Sequence, residues 1–83
     1  MVYMKKEDID ADTEFRVTSV LKLYDFNVSK NNIEELAGFR ASYGVEEGTR
    51  MWFRINNVKG LPYVTDGQVF DALERKERQS SNK

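Results

Sequence analysis

The sequence predicts an α+β fold, a small and strongly twisted antiparallel sheet with one or two short helices, and three observations carry that prediction. Two stretches, 13–24 and 49–55, alternate apolar and polar residues at the period of a strand. Two others, near 32–43 and 66–78, place apolar residues at helical spacing behind residues suited to N-capping. The chain has 83 residues, enough for one domain with a single core. Residues 1–78 are expected to form that domain. The remainder, 79–83, is expected to be a disordered polar tail, since Gln79-Ser-Ser-Asn-Lys83 has nothing to bury.

In TEFRVTSVLKLYDF, beginning at Thr13, one face reads Phe15, Val17, Ser19, Leu21, Leu23 and the other Arg16, Thr18, Val20, Lys22, Tyr24. Val, Thr, Phe and Tyr are strand-favouring residues, and the strand reading is preferred. A helix competes, because Val17, Val20, Leu21 and Tyr24 share a helical face. After a polar connection over 27–32, Asn32 with Glu35 suggests a capping box. Ile33, Leu36 and Ala37 form the inward stripe, and Gly44 stops the helix. Glu46-Glu-Gly48 then turns the chain. From Thr49 to Ile55 the alternation sends Met51, Phe53 and Ile55 one way and Arg50, Trp52 and Arg54 the other. Asn56 to Gly60 reads as a hairpin loop, and Leu61 to Val64 as an edge strand, because Pro62 lacks a ladder donor. Thr65 with Gln68 is a second capping box, opening an amphipathic helix with Val69, Ala72 and Leu73 inward. The expected core is Phe15, Val17, Leu21, Leu23, Ile33, Leu36, Phe39, Met51, Phe53, Ile55, Val69 and Leu73.

Composition narrows the chemistry. There is no cysteine, so disulfides and thiolate sites are excluded, and no histidine, which removes the commonest general base and metal ligand. No phosphate-binding loop, dinucleotide turn or nucleophile elbow occurs. The adjacent acidic pairs Glu34–Glu35 and Glu46–Glu47 read as solvated surface. No catalytic residue, no metal site and no cofactor is expected, and the chain reads as not an enzyme. Asp8-Ile-Asp-Ala-Asp12 imitates the start of a calcium loop. However, Thr13 stands where the sharp turn needs Gly, and Ser19 where a bidentate Glu is needed. An apolar leader and a membrane-length run are both absent, so a cytoplasmic location is expected, with no membrane partner.

Charge is uneven. Residues 1–48 carry six Lys/Arg against ten Asp/Glu, net −4, and residues 49–83 carry seven against four, net +3. The basic half contains RMWFRINNVKGLPYV, with the only tryptophan between two arginines. On a strand, Trp52 shares its face with Arg50 and Arg54. Three fates follow: cover by another element, a protein-binding hot spot with Tyr63, or a stacking platform for single-stranded nucleic acid with Lys59 as a further phosphate contact. Structural cover is the commonest fate of such a residue, and the acidic first half opposes phosphates. The favoured function is a non-enzymatic protein-interaction module, using Arg50, Trp52, Arg54 and Tyr63. The alternative is single-stranded nucleic-acid binding through Arg50, Trp52, Arg54 and Lys59.

Two resemblances bear on this reading. Lys22-Leu-Tyr-Asp-Phe26 is similar to the opening motif of Src-homology-three (SH3) type barrels. Trp52-Phe-Arg-Ile with Gly60-Leu-Pro-Tyr-Val64 resembles that family's tryptophan strand and closing segment. The likeness implies a partly open SH3-like barrel, with a proline-peptide groove built from Tyr24, Trp52, Pro62 and Tyr63. Separately, EDIDADTEFRV followed by Glu46-Glu-Gly-Thr49 resembles small accessory proteins of tailed phages. That likeness implies a small regulator or inhibitor of a host protein.

Overall fold

The computed structural model describes residues 3–58, 63 and 65–81. They form a 3₁₀ turn, Lys6–Asp8, followed by four α-helices: α1 (Ala11–Leu23), α2 (Lys30–Tyr43), α3 (Val45–Ile55) and α4 (Asp66–Ser81). No strand occurs among the described residues. The α+β prediction and the SH3-like barrel are therefore corrected to an all-helical fold. The strands predicted over 13–24 and 49–55 are helices, and each has a local cause.

For α1 the start decides. The Asp10 side chain accepts a hydrogen bond from the Thr13 backbone N–H at 2.7 Å, which is an N-cap. Backbone and side-chain bonds from Thr13 hold the Asp10 carboxyl below the usual carboxylate range. Once helical, the segment buries Val17, Val20 and Leu21, the competing helical stripe, and leaves the expected core residue Phe15 61% exposed. Its end is a Schellman motif. Asp25 takes a left-handed φ of 61°, its N–H donates to Lys22 O, and the Phe26 N–H donates to Leu21 O at 2.9 Å. The residues that resemble the SH3 opening are thus a helix terminus. Phe26 then turns inward against Trp52.

The same device ends α3. Asn57 has φ 59°, its N–H donates to Arg54 O, and the Val58 N–H donates to Phe53 O at 3.0 Å. Asparagine in this conformation suits a hairpin turn or a helix end equally, and here it ends a helix. The expected hairpin over 56–60 is corrected accordingly. The edge strand at 61–64 lies outside the described residues except for Tyr63.

The helices α2 and α4 agree with the sequence reading, with one adjustment. Ser29, not Asn32, caps α2, its Oγ accepting from the Asn32 N–H at 3.2 Å. Gly44 ends α2 at φ 95°, and its carbonyl accepts the Gly48 N–H, so a single residue separates α2 from α3. Thr65 and Gln68 form the expected reciprocal capping box, both bonds at 3.3 Å. Val69 and Ala72 are buried, and α4 continues through Ser81.

The helices pack in the order α3–α2–α1–α4. The core joins Val17, Val20 and Leu21 of α1, Ile33, Leu36 and Ala37 of α2, Trp52 and Phe53 of α3, and Val69 of α4. Of the other expected core residues, Leu23 and Phe39 are partly buried against it, and Ile55 faces outward. The α2–α3 approach is close: a Cβ on Gly48 would overlap the backbone of Phe39 and Arg40. Relief requires the two helices to separate. Gly48→Ala is expected to lower stability by about 1–3 kcal/mol, read as a lower midpoint in urea unfolding with an unchanged slope.

Candidate functional site

Helical rather than strand geometry redistributes the residues singled out around the tryptophan. On α3, Arg50 and Arg54 are one turn apart on the exposed face, while Trp52, two residues from each, points the opposite way. Trp52 is 0% exposed. Its ring packs edge-on against Phe26 at 4.9 Å, and its neighbour Phe53 meets Tyr24 at 4.6 Å. The indole N–H is buried with no acceptor among the described residues. Of the three fates of this residue, structural cover is the one the fold realises. The groove of Tyr24, Trp52, Pro62 and Tyr63 implied by the SH3 likeness loses its tryptophan, and Pro62 lies outside the described residues.

Three of the remaining candidates can be placed. Arg50 is exposed and pairs with Glu47 at 3.3 Å. Arg54 is exposed. Tyr63 is exposed, and its backbone N–H donates to the Tyr24 hydroxyl at 2.8 Å, which ties it to the end of α1. Burial pushes the Tyr24 hydroxyl's pKa up. Lys59 lies outside the described residues. What the sequence reading assigned to the core instead completes this surface. Ile55 is 62% exposed beside Arg54, and Met51 is half-buried one turn before it. Only the choice of period hid this stripe, because 51 and 55 are neighbours on a helix as well as on a strand.

A second feature, missed from sequence, is a charge cluster where α1, α2 and α4 meet. One oxygen of Asp66 accepts from Arg16 and from Arg40, both at 3.0 Å, and Arg16 also binds Asp12 at 2.9 Å. The Arg40 side chain is almost fully buried. These residues border a cleft of about 370 Å³ that also touches Met4, Ala37, Ala41 and Val45. Burial pushes the Asp66 carboxyl up, but hydrogen bonds and charge from Arg40 and Arg16 outweigh it and hold the carboxyl below its usual range. A carboxylate held below its usual range is a weak base, and the cluster acts as a clamp between helices, with Asp66 Oδ1 and Arg40 Nη1 buried without a hydrogen-bond partner among the described residues. The acidic run imitating a calcium loop is likewise occupied in folding, with Asp10 capping α1 and Asp12 paired to Arg16. No cluster of three or more carboxylates able to hold a metal occurs among the described residues.

A third feature is a shallow cleft of about 380 Å³ between α1 and α4, lined by Phe15, Ser19 and Lys22 on one side and Phe70, Leu73, Glu74 and Glu77 on the other. Phe15 and Phe70 touch at 5.5 Å, and Arg16 covers the Phe70 ring at 5.9 Å. Among the described residues, no helix is long and apolar enough to cross a membrane. Compared with protein-family models, curated proteins and solved structures, the chain finds no match in any of the three.

Asp66 gives the clamp a pH signature. Its folded pKa lies below the unfolded value of about 3.9, so its contribution is complete above that value and disappears as pH falls through the folded one. Asp66→Asn leaves Arg40 buried without its counter-charge and is expected to cost about 3 kcal/mol at neutral pH. Thermal melts from about pH 6 down to about pH 2 should show a smaller loss of stability for the variant than for the native chain.

Proposed function

We propose that the chain is a non-enzymatic protein-interaction module, a small regulator or inhibitor, that engages its partner through the exposed face of α3. The observation that carries this reading is the placement of Ile55, largely exposed on a helix whose opposite side is fully packed, between Arg54 and the Met51 turn. An isolated exposed apolar residue is ordinary, but an isoleucine–methionine stripe edged by Arg50 and Arg54 has the composition of a contact patch. Tyr63, exposed and tied to the Tyr24 hydroxyl, is a further contact for the same partner. Trp52 supports the patch from beneath, keeping α3 rigid through Phe26, and touches no partner while the fold is intact. The likeness to phage accessory proteins favours a host protein as the partner. A cytoplasmic setting is the matching proposal, with which a cysteine-free chain is compatible.

Nucleic-acid binding draws on the same arginines but loses its stacking platform, since Trp52 is inside. Glu46 and Glu47 occupy the first turn of the same helix, and Glu47 already pairs with Arg50. Both facts weaken the phosphate reading.

The two readings separate by experiment. A labelled single-stranded oligonucleotide, followed by fluorescence anisotropy at low and high salt, should show no salt-sensitive binding. Binding that falls steeply with salt and with Arg50→Ala would replace the protein reading by the nucleic-acid one. For a protein captured from host extract and then purified, Ile55→Asp is expected to weaken affinity at least tenfold, measured by calorimetry. The fold should tolerate that change to within about 0.5 kcal/mol, because the residue faces solvent. Equal affinity for the native and Ile55→Asp chains would remove the patch from consideration.

A further inference from the structure

The α1–α4 cleft lies away from α3 and plays no part in the reading above. Its two walls are each a stripe along one face of a helix: Phe15, Ser19 and Lys22 are spaced by four and three residues on α1, and Phe70, Leu73, Glu74 and Glu77 are similarly spaced on α4. The two helices run parallel. Near their N-termini Arg16 meets Asp66 and Phe15 meets Phe70, and toward their C-termini Lys76 reaches the carbonyls of Lys22 and Leu23. The cleft is therefore apolar at its N-terminal end and charged at its C-terminal end. At that charged end a cation, Lys22, stands on α1 and carboxylates, Glu74 and Glu77, stand on α4.

This arrangement is self-complementary in one orientation. A two-fold axis laid along the cleft brings α1 of one copy over α4 of the other at the same level. Phe15 then meets the second copy's Phe70 and Leu73, and Lys22 meets the second copy's Glu74 and Glu77, at both halves of the interface at once. A two-fold axis in the interface plane but across the helices would run them antiparallel and set the phenylalanine end of one cleft against the charged end of the other, burying charge without a partner. Lys22 has no ion-pair partner among the described residues, while the Glu74–Arg78 pair lies on an exposed helix surface where such pairs contribute little. The phenylalanine that the sequence pattern assigns to the core of the chain has its natural cover here. We infer that the α1–α4 cleft is a homodimer interface whose occupant is the same cleft of a second copy, with all four helices parallel. Because it uses α1 and α4, dimerisation leaves both α3 faces open.

The test is sedimentation equilibrium of the full chain from low to high micromolar concentration, with each variant's helix content and thermal midpoint checked alongside. The native chain is expected to pass from 9.7 kDa to twice that mass. Phe15→Ser, a change at an exposed position, should keep its fold and stay monomeric. Lys22→Glu should raise the dissociation constant at least tenfold, and Lys22→Glu combined with Glu74→Lys and Glu77→Lys should restore dimerisation. A native chain that stays monomeric throughout would overturn the inference. So would a dimer indifferent to Phe15→Ser, which would place the interface elsewhere. A dimer lost with Phe15→Ser but indifferent to Lys22→Glu, as when another part of the surface pairs with the phenylalanine, would overturn the parallel arrangement.

Discussion

Asp66 is the residue on which the assembly of this fold turns. It begins α4, and its single bonded oxygen is shared by Arg16 of α1 and Arg40 of α2. Among the described residues the α4 backbone packs on α1 alone, and this clamp supplies its tie to α2. The far end is secured by a complementary device. The Lys76 ammonium donates to the carbonyls of Lys22 and Leu23 and to the Asp25 carboxylate, satisfying groups that the end of α1 leaves open. Both ends of α4 are thus fixed by charged groups placed where helix termini offer the matching partial charge. Arg40 makes the N-terminal clamp costly to break, because its guanidinium is buried and Asp66 is its one ion-pair partner among the described residues.

From that clamp the rest follows inward. α2 is held between α1 and α3, and Gly48 lets α3 come close enough for Trp52 to reach Phe26. The aromatic group of Tyr24, Phe26, Trp52 and Phe53 then joins the end of α1 to α3. Functionally, this separates what the sequence places side by side. The tryptophan is spent on stability, and the two arginines that flank it are released to the surface with Ile55. The uneven charge of the chain has a similar resolution in part, since Asp66 and Lys76 of the basic half pair with Arg16, Arg40 and Asp25 of the acidic one.

The legible and illegible parts of the fold differ for physical reasons. Thr65 and Gln68 announce α4, and Ile33, Leu36, Ala37 and Gly44 announce α2, because their spacing fits a helix, and the competing alternation of Val69, Asp71 and Leu73 would turn an aspartate toward the core. In 13–24 and 49–55 both periods fit. Val17, Val20 and Leu21 satisfy a helix while Phe15, Val17 and Leu21 satisfy a strand, and the β-branched content tips the reading toward the wrong one. The deciding facts were the Asp10 cap and the left-handed Asp25 and Asn57. Of these, only Asp10 is a recognisable helix signal, and it stood inside a run that also imitated a calcium loop. The candidate surface inherited the error: Arg50, Arg54 and Tyr63 are exposed where a partner could meet them, but Trp52 and Ile55 exchanged places. Asp66 carried no motif at all, since a clamp between elements distant in sequence leaves no local pattern.

Residues 49–55 form a helix that turns Trp52 inward and its arginines out. A nuclear Overhauser spectrum of the full chain tests it most directly. Unbroken amide-to-amide contacts between successive residues from Thr49 to Ile55, together with contacts from the Trp52 indole to the Phe26 ring, are the predicted result. Strong contacts from each Hα to the next amide over the same residues, with no indole-to-Phe26 contact, would restore a strand and return Trp52 to the face of its arginines.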